Sequence, residues 1–381
     1  MTRSDPETWH LATTESEFLD LQSDWERLFK ANPRHSPFLA WGWVNAWLKH
    51  IAGPHELQII FLRDNSGALV FILPLLRKSG ERKFGSTKLA LVCSYGPECS
   101  DHLGCLCSAD LESRSAELSA LAIAHCLGRY DTISMGCLDS AGGYPSILET
   151  AMLTSGRNSK VRPDIICPTV SLPESWDEFL LQLSSNFRSQ VRRSYKQIVG
   201  EEQPNFRSLD HSEADVFTRE LIRLNRSRMQ AKGEVSSLEE DAFRTFLEEA
   251  IPYMASRGFA WLDTIERDGE MLGTALNFVH GDSVYFYMGG FDSQAGKLRP
   301  GTALFAQVIQ RSIGGGYAKY DFLRGDETYK YRWNANDIVT HRLTIYPYGL
   351  IRGRLASAID DLNIAIRKLV RYSRRLAKRQ G

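Results

Sequence analysis

The sequence predicts an α/β (α+β) protein of two lobes, each a mixed, largely antiparallel sheet flanked by helices. Three observations carry this expectation. The chain has 381 residues, 43% of them hydrophobic, which is long enough for two cores. Apolar residues alternate between helical and strand spacing along its whole length. Both halves also run in the same order, helices first and strands after.

In the first half, Phe18, Leu21, Trp25, Leu28 and Phe29 have helical spacing, and so do Trp43, Val44, Trp47 and Leu48 in the segment from Phe38 to Ile51. Helical spacing places Trp43 and Trp47 on one face, which favours core packing over a sugar-stacking platform. The runs from Leu57 and from Ala68 read as two strands about the turn 64–67. Another strand is expected at Lys88 to Cys93, a helix at Leu118 to Leu127 and a strand at Tyr130 to Met135. The polar, aperiodic tract 154–163, followed by Pro168 and Pro173, is the expected junction. It divides the chain into lobes at 1–165 and 166–349, with a basic amphipathic helix at 350–381.

The second half opens with expected helices at Ser175–Leu183, Ser185–Val199, Ser212–Lys232 and Leu238–Arg257. An antiparallel meander follows from Phe259 to Gly289, with turns at Gly269 and Gly281. A loop from Gly290 to Gly301 leads to a helix at Thr302–Ile313, then a strand from Tyr320 and another at Val339–Tyr346.

Lys+Arg and Asp+Glu both total 46, so no overall field draws the chain to nucleic acid or to an anionic membrane. The start of the sequence is polar, and no run approaches the roughly 20 apolar residues of a membrane helix, so a cytoplasmic protein is expected. Seven cysteines lie in the first half, mostly in apolar stretches, and read as reduced, buried thiols. Cys93, Cys99, Cys105 and Cys107 lie near His102, but no C-x-x-C pair occurs and no metal is expected. His211, His280 and His341 read as structural or surface residues, and no G-x-S-x-G elbow supports a hydrolase.

The segment 269–333 carries the chemistry. In KLRPGTALF, Gly301 and Thr302 open a helix whose free N–H groups and dipole suit a pyrophosphate, with Thr302 as N-cap and Lys297 and Arg299 adding charge. An ordinary capped helix is the other reading. The next strand ends in a polar bunch, DFLRGDETYKYRW from Asp321 to Trp333, at the end of a strand where ligands often bind.

The stretch GTALFAQVIQRSIGGGYAKYDFLRGDETYKYRW resembles the CelD-like branch of the GNAT superfamily, which is related to Fem-type aminoacyl transferases. LSSNFRSQVRRSYKQI, SPFLAWGWVNAW and GALVFILPLL resemble other parts of that family, so the likeness covers nearly the whole chain. It implies two GNAT-like lobes, with the second holding acetyl-CoA or another acyl-CoA in the splay between strands near Gly289, Gly290 and Asp321. It also implies acyl transfer to an amine or hydroxyl, often in polysaccharide or envelope-precursor synthesis. Arg299-Pro300-Gly301-Thr302 departs from the usual pyrophosphate loop, which leaves open an aminoacyl-tRNA donor or a degenerate scaffold in polysaccharide assembly.

Acyl transfer needs a base, oxyanion donors and an acid for the thiolate. Asp321 and Glu327 are the candidate bases and Tyr329 the candidate acid. Lys330 aligns with a Fem-type lysine that would stabilise negative charge. Arg188 and Arg192, one helical turn apart, and Arg324 are assigned to an anionic acceptor. For Arg188 and Arg192 the other reading is a solvated face paired with Glu201 and Glu202. In the C-terminal helix, Leu355, Ile359, Leu362, Ile366 and Val370 form a stripe expected to pack on the enzyme, with attachment to a membrane surface or to a polysaccharide-synthesis complex as alternatives.

Overall fold

The computed structural model describes residues 8–78, 88–96, 100–127, 132–198, 206–267, 269–295, 298–349, 351 and 353–362. The first half contains β1 (Trp9–Ala12), α1 (Glu15–Asp20), α2 (Gln22–Ala31), α3 (Trp41–His50), β2 (His55–Arg63), β3 (Leu69–Lys78), β4 (Lys88–Leu91), β5 (Leu106–Cys107), α4 (Ser115–Cys126), β6 (Thr132–Leu138) and α5 (Tyr144–Thr154). Next come β7 (Ser159–Ser171), α6 (Trp176–Gln182), α7 (Ser185–Ile198), β8 (Phe206–Leu209), α8 (Ala214–Ala231) and α9 (Asp241–Ser256). The chain continues through β9 (Ala260–Arg267), β10 (Glu270–His280), β11 (Ser283–Phe291), α10 (Pro300–Gly314), β12 (Lys319–Asp321), α11 (Thr328–Tyr331) and β13 (Asn336–Ile345).

The strands form one sheet in the order β1-β2-β3-β4-β6-β13-β7-β12-β11-β10-β9-β8, with β5 beside β3. Most neighbours are antiparallel. Parallel pairing occurs at β4–β6 and at β11–β12, where α4 and α10 supply the crossovers that parallel strands require. Each half therefore contains one strand–helix–strand crossover. The last strand, β13, returns to the centre and pairs with β6 on one edge and β7 on the other.

Within the tract 154–163, residues 159–163 are the start of β7. Gly156 (φ 81°) ends α5 in a turn, and the chain then enters β7, one of whose edges pairs with β13 and the other with β12. Its polar residues are satisfied by distant partners: Ile165 N–H donates to Thr340 Oγ1 (3.2 Å), and Asp164 accepts from Arg342 (2.9 Å). The boundary drawn at 165/166 falls inside this strand. Two apolar cores form. One joins the first half to Phe217, Leu221, Phe243, Phe246 and Leu247 of α8 and α9, and the other gathers Phe179, Phe187, Val191, Phe305, Ile309 and Trp333.

Trp43 is buried, its Nε1 donating to Ser100 Oγ at 2.8 Å and its ring packed edge-on against Phe246, Phe278 and Tyr287, so the Trp43/Trp47 face is core. Cys93, Cys105, Cys107, Cys137 and Cys167 are buried free thiols, and Cys99 lies outside the described residues. The expectation for the C-terminal stripe is corrected. The chain is helical over 353–362, but Ile351, Leu355, Ile359 and Leu362 face solvent, because the helix packs through its small and polar side. Ile366 and Val370 lie outside the described residues.

Candidate active site

The meander β9–β11 forms as its alternation predicts, and β11 then pairs with β12 only from Ser283 to Tyr285, opposite Lys319 to Asp321. Beyond those residues the two strands part. The β11 backbone from Phe286 to Phe291 keeps β10 on one side and has no strand neighbour on the other among the described residues. A register shift at Leu276/Asn277 sets Met288 and Phe286 opposite consecutive β10 residues, leaving Tyr287 as the extra residue of a bulge.

At the mouth of this splay lies a cavity of about 260 Å³. Its walls come from Phe187 of α7, Arg228 of α8, Phe291, Asp292 and Ser293 after β11, the start of α10 from Arg299 to Thr302, Phe305, Tyr329, Arg332 and Trp333. Three guanidinium groups face one carboxylate, Asp292, so the cavity suits an anion. Arg228 lies 5.1 Å over the Phe291 ring, and Arg332 lies 4.1 Å over Phe187 while donating to Gln190 Oε1 at 2.7 Å.

The start of α10 is one residue earlier than Gly301. Arg299 is the N-cap, held at φ 54°, and Pro300 takes the first helical position. Thr302 is therefore inside the first turn and does not cap it; its N–H donates to the Arg299 carbonyl at 2.9 Å. Gly301 is packed against Phe291, where an added Cβ would meet the ring at 3.1 Å. A fifteen-residue helix thus points its positive end into the cavity. Lys297 lies outside the described residues.

The other expected site residues are dispersed. Gly289 and Gly290 meet α8 and β10: a Cβ at Gly290 would fall 2.5 Å from Asn225 N, and Asn225 Nδ2 donates to the Gly289 carbonyl at 3.0 Å. Their lack of side chains is explained by the close crossing of α8. Arg188 is half-buried and Arg192 exposed on α7; neither lines the cavity, and neither has an ion-pair partner among the described residues, which do not include Glu201 and Glu202.

Asp321 is buried and heavily bonded. Its carboxylate accepts from Leu323 N–H at 2.6 Å and Thr169 Oγ1 at 2.8 Å, and it faces His102 Nε2 at 3.1 Å. Arg324 turns to the first half, pairing with buried Asp101 at 2.7 Å and donating to the Ser100 carbonyl at 3.2 Å. Lys330 is also buried, and its ammonium donates to the carbonyls of Leu323 and Gly325 at 3.2 Å each and to that of Arg324. Glu327 is exposed, stands at the N-cap position of α11 without a side-chain capping bond, and pairs with Lys330 at 2.9 Å. Of the four expected catalytic residues, Tyr329 alone lines the cavity. It stacks on Phe305, and burial raises its pKa above the usual phenol value.

The sequence does not single out Arg228 and Arg332, and His102 stands out in it only as a neighbour of the cysteines. Arg228 lies on α8 and Arg332 just after α11, at the end of the polar bunch, and the two meet only through the fold. Burial opposes charge on His102, but the carboxylates of Asp321 and Asp139 outweigh it and hold its pKa well above the usual histidine value. A raised folded-state value means that its contribution to stability is full below about pH 6.5 and is lost as pH rises through the folded value. Tm measured across this range should fall with rising pH, and His102→Gln should flatten that slope; an unchanged slope would place the titration elsewhere.

No curated protein sequence matches the chain. Residues 185–331 match the family model described as an acetyltransferase (GNAT) domain. Among solved structures, FemX is similar at 12% identity and TM-score 0.58, covering 84% of this chain and 95% of its own. A C-terminal domain assigned as a lysylphosphatidylglycerol synthetase from Agrobacterium fabrum is similar at 10% identity and TM-score 0.51, over 90% of this chain and 96% of that one. A conserved protein of unknown function from Bacteroides thetaiotaomicron is similar at 11% and TM-score 0.53, over 89% and 100%. Among the described residues no helix is long and apolar enough to cross a membrane. The chain shares the fold of these solved structures, and residues 185–331, which match the acetyltransferase (GNAT) domain model, include every lining residue of the cavity except Arg332 and Trp333.

Proposed function

We propose that the chain is an acyl-CoA-dependent N- or O-acyltransferase, with acetyl-CoA as donor and a sugar, polysaccharide precursor or small molecule as acceptor. One observation carries this reading: three arginines and the positive end of α10 converge on a cavity at the mouth of the β11–β12 splay. The cavity takes the donor's phosphates. The pantetheine arm then lies along the edge of β11 that β12 leaves, beside the backbone groups of Phe286 to Met288, which would pair with its amides.

The acceptor amine or hydroxyl attacks the thioester carbonyl carbon, the C–S bond breaks, and the thiolate takes up a proton. Tyr329, protonated at the cavity wall, donates to the sulfur. Glu327 is the accessible carboxylate for the acceptor's proton. Asp321 and Lys330 hold the turn that presents these two residues.

Calorimetry with acetyl-CoA tests the reading. Micromolar binding is expected, and Arg228→Ala combined with Arg332→Ala should weaken it about tenfold or more with the fold intact. No binding by a folded chain would sink it. Binding of aminoacyl-tRNA that falls steeply with salt would then identify a Fem-like transferase, and neither ligand binding would leave a scaffold.

A further inference from the structure

We infer that the C-terminal helix is a docking element for an anionic membrane surface. Ile351, Leu355, Ile359 and Leu362 are 82%, 61%, 42% and 61% exposed. Spacings of four, four and three residues put them on one helical face. A helix that merely covered the enzyme would turn this face inward.

The structure fixes it outward. Gly353 and Ser357 are the buried positions, and a Cβ at Gly353 would lie 2.9 Å from the Pro347 carbonyl oxygen, so only this side of the helix can approach so closely. Asn158 Nδ2 donates to the Gly353 carbonyl at 3.3 Å and Tyr346 donates to Asp360 at 2.8 Å. Arg162 pairs with Asp360 at 3.3 Å, and Asp361 pairs with Lys160 and Arg162. Both acidic residues of the helix are therefore spent on holding its polar side to β7.

What covers the apolar face is indicated by charge. The sequence after Asp361 contains Arg367, Lys368, Arg371, Arg374, Arg375, Lys378 and Arg379 and no Asp or Glu. Seven cations continuing from an outward apolar stripe complement an anionic bilayer: the stripe enters the headgroup boundary while the cations pair with lipid phosphates. A protein partner without an acidic patch beside the same stripe would leave those cations without counter-charge.

The full chain is tested by co-sedimentation with phosphatidylcholine vesicles and with vesicles containing about one third phosphatidylglycerol. Binding to the anionic vesicles alone, weakening as salt rises, is expected. Leu355→Glu with Ile359→Glu should lower the partition about tenfold or more while Tm stays unchanged, since both side chains are solvent-facing. A chain ending at Leu362 keeps the stripe and should lose the preference for anionic lipid. Absence of vesicle binding, equal binding to neutral vesicles, or a dimer in sedimentation equilibrium that the glutamates dissolve without any vesicle binding would each overturn the inference.

Discussion

Replacing Arg324 with alanine is expected to cost about 3 kcal/mol of stability and to lower Tm by several degrees, because it strands the carboxylate of Asp101. Asp101 is 1% exposed, and its oxygens are held by the Arg324 guanidinium at 2.7 Å and by the Arg324 backbone N–H at 3.0 Å. The arginine is partly open to water, with its side chain 25% exposed, which places the cost at the lower end of that for breaking a buried pair. The pair joins the segment after β4 to the turn after β12, so both halves of the chain lose a tie at once. Asp101→Asn in the same chain removes the stranded charge and should recover part of the loss, and denaturant melts of the two single variants and the double variant give the coupling. A residue that bound acceptor instead would raise KM and leave Tm alone; that outcome would remove the structural role given to Arg324.

The same turn shows what could be read from the residues and what could not. The meander from β9 to β11 and the helix after Pro300 were legible because their signals are local: alternation, Gly turns, and a proline opening a helix. β7 was not. Its polar stretch from Ser159 looks like a linker until β13 and β12, more than 145 residues further on, supply partners for both edges. The candidate site divides in the same way. Arg299, Gly301, Thr302 and Tyr329 were legible and line the cavity, and Arg332 follows Tyr329 in the same bunch, whereas Arg228 arrives from α8, whose convergence on the cavity no spacing encodes. The polar bunch from Asp321 to Lys330 was legible as a cluster, but its density reflects a turn that needs many hydrogen bonds. Leu323 and Gly325 both have positive φ, at 52° and 104°, and a backbone so bent turns several carbonyls inward.

That bend is the reason Lys330→Ala should be among the most damaging substitutions in the chain. Its ammonium, 3% exposed, is the shared donor for the carbonyls of Leu323, Arg324 and Gly325, and alanine would leave all three facing a void. The contact with Glu327 adds little, since that carboxylate is 57% exposed. Losing three charge-assisted bonds at a buried site should cost about 3–5 kcal/mol. Lys330→Met fills the space but supplies no donor, so it should be nearly as unstable, whereas Lys330→Arg should retain part of the network. If Lys330 acted on the reacting atoms, the alanine chain would keep its melting behaviour and lose turnover in proportion to the enzyme present. Loss of Tm together with a falling folded fraction, with turnover per folded molecule largely kept, is the result the geometry leads to.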